Sequence, residues 1–136
     1  MLLNKENVCD SRLGDKLNNL APNIFRQRLL IEGFYTIEVT KESLQAYLLQ
    51  IAAHLQLRTY GEPIIFSPAS GMGREENSGF DAFVPLIDSG ISAYIWSNAK
   101  FFSIVLYTCK GFDENKAIEF TCDYFKVTEE MASKSF

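Results

Sequence analysis

A chain of 136 residues, with 13 Lys and Arg against 17 Asp and Glu, carries a net charge of −4, and 47% of its residues are hydrophobic. That fits one soluble domain with enough apolar material for a sizeable core. The basic residues are scattered, so no cationic stripe offers itself to a phosphate backbone and nucleic acid is not an expected partner.

Apolar stretches such as residues 101–106 fall far short of a membrane span, and the polar residues that follow Leu3 leave no room for the apolar segment of a secretion signal. A cytoplasmic protein with no membrane partner is the expectation. Three cysteines (Cys9, Cys109, Cys122) and one histidine (His54) lack metal-ligand spacing, so neither a disulfide framework nor a metal site is expected.

Residues 1–24 are polar, with Leu13, Leu17 and Leu20 as weak apolar punctuation and Pro22 as a stop. They read as an N-terminal arm preceding a domain over 25–136. From Arg28 to Val39 the chain is rich in aromatic and β-branched residues, which predicts a strand. Thr40 is placed as an N-cap for a helix over 41–57, in which Leu44, Leu48, Ile51 and Leu55 recur on one face.

Pro63–Phe66 reads as a strand, followed by a polar glycine-rich segment from Ser70 to Gly79 that suits either a binding loop or a plain surface connection. Phe80–Ile87, Ile91–Trp96 and Phe101–Cys109 read as three successive strands, joined by turns at Asp88-Ser89-Gly90 and Ser97-Asn98-Ala99-Lys100. Asp113 caps a second helix over 114–126, with Ala117, Ile118, Phe120, Thr121, Tyr124 and Phe125 on its buried side. The order predicts an α+β two-layer sandwich, an antiparallel sheet with two helices packed on one face.

Asp88-Ser89-Gly90-Ile91-Ser92-Ala93-Tyr94-Ile95-Trp96, followed twenty residues after the serine by Cys109 in Tyr107-Thr108-Cys109, resembles the signature of the bacterial and archaeal S-adenosylmethionine decarboxylases. Leu30-Ile31-Glu32-Gly33-Phe34-Tyr35 is similar to that family's first strand, so the likeness spans roughly residues 28–126. The family proenzyme cleaves itself before the serine and converts it to a pyruvoyl group, an electron sink for decarboxylation in polyamine (spermidine) biosynthesis. The resemblance therefore implies Ser89 as pyruvoyl precursor, Asp88 as the cleavage-site residue, Cys109 as proton donor to the substrate α-carbon, and a homodimer. A strained hairpin corner, with Gly90 beside Ser89, would bring the hydroxyl onto the preceding carbonyl.

The departures from the family pattern are specific. The histidine that assists processing falls on Tyr94, a phenol and so a poor base at neutral pH, and the histidine after the serine becomes Gly90. A processing serine aligns with Asp81, which could serve as a processing aid. The glutamate that holds the substrate ribose aligns with Asn98, which is neutral and weaker for a diol. Phe66 in Phe66-Ser67-Pro68 matches a family phenylalanine of the adenine site, and Trp96 could stack on the same ring.

Two functions follow. One is a pyruvoyl-dependent decarboxylase acting on S-adenosylmethionine or another amino acid such as ornithine or arginine. The other is an unprocessed, inactive homologue that binds a ligand or partners an active subunit. Asp-Ser-Gly is also a common turn tripeptide. His54 reads as a packing or surface residue, and Glu32 and Glu38 as solvent-facing positions of a strand.

Overall fold

The computed structural model describes residues 18–67 and 78–136. Cys9 and most of the glycine-rich segment lie outside the described residues. The elements are β1 (Gln27–Phe34), α1 (Lys41–His54), β2 (Ile64–Phe66), β3 (Gly79–Leu86), β4 (Ser89–Trp96), β5 (Phe101–Thr108), α2 (Glu114–Phe125) and β6 (Ala132–Ser135). All pairings in the six-stranded sheet, ordered β2-β3-β4-β5-β1-β6, are antiparallel. The architecture is the α+β two-layer sandwich that the residue pattern predicts.

Strand periodicity sorts the sheet into two faces. Leu29, Ile31, Val84, Ile91, Ala93, Phe102, Ile104 and Leu106 point to the helices and are almost fully buried. Against them pack Leu44, Tyr47, Leu48 and Ile51 of α1 and Ala117, Thr121 and Phe125 of α2. Thr40 caps α1 by accepting from Ser43 N, and Ser43 returns a hydroxyl acceptor to Thr40 N, a reciprocal box. Asp113 caps α2 by accepting from the amides of Asn115 and Lys116.

Several elements differ from the sequence expectation: α1 ends at His54 rather than at residue 57, and β4 begins at Ser89 rather than Ile91, so the turn expected at Asp88-Ser89-Gly90 narrows to Ile87-Asp88. The first strand ends at Phe34 rather than Val39: Tyr35 N still donates to Lys100 O in the turn before β5, and Thr36 N then donates to Phe125 O at the end of α2. Ala132–Ser135 forms an edge strand despite having no β-branched residue. Tertiary contacts hold it there: the ladder to β1, and Ser135 Oγ donating to the Glu114 carboxylate.

At the centre of the core, Tyr47 Oη and Thr121 Oγ1 are 2.8 Å apart, and Thr121 Oγ1 lies 2.8 Å from Ala117 O. The threonine has one proton and spends it on that carbonyl, so the phenol donates to the threonine. Burial pushes the Tyr47 phenol well above its ordinary value, the Thr121 hydrogen bond opposes this, and Tyr124 adds to it. Tyr35 and Tyr124 are raised by burial as well.

The sign follows from linkage. Above the unfolded tyrosine pKa of about 10 the unfolded chain releases protons that the folded chain retains, so stability is intact below that pH and falls above it. Denaturant midpoints measured across this alkaline range should decline for the wild-type chain and decline less steeply for Tyr47→Phe. Equal slopes would show that the buried phenol is not the group responsible.

Among the described residues no helix packs on the opposite face of the sheet. Its register rows run Ile64–Phe83–Ser92–Val105–Leu30 and Phe66–Asp81–Tyr94–Ser103–Glu32. Phe34, Ile64, Phe66, Phe83, Tyr94 and Tyr107 on it are between 39% and 66% exposed. Glu32, expected to face solvent, lies on this face and accepts a hydrogen bond from Ser103 Oγ at 2.8 Å.

Candidate functional site

β3 and β4 are joined by two residues, Ile87 and Asp88, with Leu86 paired to Ser89. So short a loop needs an unusual backbone, and Asp88 supplies it with φ at 57°. L-residues adopt this left-handed region at a cost of about 1–2 kcal/mol, with Asp among the more tolerant. The strain expected near Gly90 thus resides at Asp88. Gly90 is needed for space: a Cβ there would sit 2.2 Å from the Phe83 ring.

Cys109 directly follows β5, the strand beside β4, and there the chain turns, with Thr108 Oγ1 donating to Lys110 O at 2.8 Å. This places Cys109 against the β3–β4 loop. Its backbone N–H donates to Ser89 Oγ at 2.8 Å, and its thiol donates to the Asp88 carbonyl at 3.0 Å. The serine hydroxyl and the carbonyl it would attack are both held by one residue. A donor on that carbonyl oxygen stabilises negative charge developing there, and the N–H fixes the hydroxyl oxygen beside it.

Asp88, Ser89 and Cys109 line a pocket of about 300 Å³ together with Leu57, Arg58, Leu86, Ile87 and Lys110. Arg58 and Lys110 escaped the sequence reading. Nothing in residue spacing joins the loop after α1 to the end of β5, and only the folded sheet edge brings them to one wall.

The remaining candidates lie elsewhere in the same chain. Trp96 ends β4, seven residues from Ser89, or about 23 Å at ordinary strand rise. Asn98 lies in the turn beyond it. Tyr94 and Asp81 are cross-strand partners on the open face, Tyr94 about 17 Å along the strand from Ser89. They line a second pocket, of about 390 Å³, with Ile64, Phe66, Phe83 and Ser92. Phe66, on edge strand β2, is 66% exposed. His54 stacks on Phe120 with ring centroids 5.1 Å apart, a packing contact. Among the described residues no cluster of His, Cys, Asp and Glu is placed to hold a metal, and no helix is long and apolar enough to cross a membrane.

The chain is thus a two-layer α+β sandwich in which a serine, the carbonyl before it and a cysteine are clasped at one sheet end. Its fold has a solved counterpart in the adenosylmethionine decarboxylase from Aquifex aeolicus VF5, with a TM-score of 0.64 over 83% of this chain and 89% of that one, at 14% sequence identity. The shared fold is what this similarity shows. No family model and no curated protein sequence matches the chain.

Proposed function

We propose that the chain is a self-processing, pyruvoyl-dependent amino-acid decarboxylase of the S-adenosylmethionine decarboxylase type, cytoplasmic in location. The observation that carries the reading is the double hold of Cys109 on the Asp88–Ser89 unit, N–H to hydroxyl and thiol to carbonyl.

The residues present suit the formation of a pyruvoyl group. Ser89 Oγ attacks the Asp88 carbonyl carbon, the Asp88–Ser89 C–N bond breaks, and the serine nitrogen leaves as an amine, giving an ester. Loss of the Ser89 Cα proton expels the Asp88 carboxylate. Water then displaces the nitrogen at position 89 as ammonia, leaving a pyruvoyl group at the start of β4. During the first step the thiol donates to the oxygen on which charge develops. Asp88 carries the ionisable carboxylate nearest the scissile bond in sequence and is the candidate proton acceptor. When present, the group supplies an electron sink for the carbanion left as carbon dioxide departs. The Cys109 thiol is then the proton source for that carbon.

A homodimer belongs to this proposal. Asp81 and Tyr94 stand too far from Ser89 in their own chain to assist it, and they share the uncovered face with exposed Ile64, Phe66 and Phe83. A contiguous apolar face rimmed by polar groups suits association, and a second copy would cover it. Light scattering at micromolar concentration should give twice the 15.4 kDa chain mass. Phe83→Glu should return it to one chain mass without loss of fold. A wild-type chain that stays monomeric at every concentration would overturn the dimer. The reading as a whole is tested by intact mass, since an active chain must break between Asp88 and Ser89.

A further inference from the structure

The pocket beside Ser89 is positively charged within a chain of net charge −4. Two cations, Arg58 and Lys110, face one carboxylate, Asp88. The apolar lining is aliphatic, from Leu57, Leu86 and Ile87, and none of the lining residues is aromatic.

The fold holds the Lys110 ammonium directly and the Arg58 backbone through its neighbours. Lys110 Nζ donates to Gln56 O at the end of α1 at 2.9 Å, which positions the ammonium and leaves two of its protons for a ligand. Arg58 sits between two backbone anchors, Leu57 N donating to Ala52 O and Tyr60 N to Pro85 O, both 2.8 Å, with Thr59 bridged to Leu86. Among the described residues the Arg58 guanidinium has no hydrogen bond or ion pair, so its planar fork is available.

We propose that this pocket takes a small carboxylate anion, the carboxylate of a free amino acid, held between Arg58 and Lys110. The inference rests on the reading of Ser89 given above and narrows its substrate class. A nucleoside-bearing sulfonium would bring a positive charge toward two cations and a purine into a pocket with no ring to stack on. A simple acidic or neutral amino acid meets complementary charge and aliphatic walls.

The test uses the full-length Ser89→Ala chain, which cannot form a pyruvoyl group. Binding is thereby separated from processing, and failure of one does not imply failure of the other. Titrating L-glutamate at constant ionic strength should move the amide resonances of Arg58 and Lys110 saturably in the millimolar range. Adding Arg58→Gln or Lys110→Gln should each weaken binding by roughly three- to tenfold, as loss of one solvent-accessible charge-assisted contact predicts. Both residues are exposed, and the spectra themselves report that each variant is folded. Three results would overturn the proposal: no saturable shift, shifts indifferent to both substitutions, or tighter binding of 1,3-diaminopropane or S-adenosylmethionine than of glutamate.

Discussion

Intact-mass spectrometry of the purified chain is expected to show two fragments, 1–88 and 89–136, and a single unbroken chain for Ser89→Ala. The argument is geometric: the scissile carbonyl belongs to Asp88, the left-handed last residue of the two-residue loop, the attacking hydroxyl to Ser89, which opens β4, and Cys109 binds both oxygens. Removing the thiol takes away the side-chain donor from the developing oxyanion but leaves the backbone N–H on Ser89. Loss of one such donor in a dry site costs about 10²–10³ in rate. For a weaker thiol donor in a partly exposed loop, Cys109→Ala should slow cleavage roughly 10- to 100-fold. Cys109→Ser, which keeps a hydroxyl donor, should cleave faster than the alanine variant. A wild-type chain that remains whole after prolonged incubation would falsify self-processing and favour an intact homologue.

A second large effect is expected far from the loop. Gly79 opens β3 with φ at 156°, and a Cβ there would fall 1.7 Å from Ile95 O, a backbone atom of the neighbouring strand. The carbonyl cannot swing aside as a side chain can. Gly79→Ala should therefore destabilise the fold by about 2–5 kcal/mol, combining overpacking with an unfavourable backbone region. Gly90→Ala offers the control. Its clash is with the Phe83 ring, which is 40% exposed and free to rotate outward, so a cost of about 1 kcal/mol is expected. Urea midpoints distinguish the two, and equal losses would show that the sheet relaxes as easily as the ring.

Much of this architecture was legible before any coordinates. Thr40 and Asp113 mark helix starts because their side chains cap backbone N–H groups, and capping is a local property. The β3–β4–β5 meander was legible because its turns are short and its apolar residues dense. Ala132–Ser135 was not, since its pairing with β1 comes from long-range contacts that its composition does not encode. At the site, Asp88, Ser89 and Cys109 are the residues that the family resemblance implies, and they do meet. Tyr94, Asp81, Asn98, Phe66 and Trp96 were picked by the same alignment, yet strand geometry spreads them toward the other end and the open face of the sheet. Alignment preserves order along a chain; it does not say which positions share a neighbourhood within one copy.

The strand order β2-β3-β4-β5-β1-β6 gives a break after Asp88 an unusual consequence. β1, β2, β3 and α1 would belong to one fragment and β4, β5, β6 and α2 to the other, with β1 inserted between β5 and β6. Each fragment holds strands that complete the other's ladder, and the Tyr47–Thr121 hydrogen bond crosses between them. The two pieces would be interleaved like clasped fingers, so scission would change the covalent chain without parting its halves. Neither half would retain a core of its own.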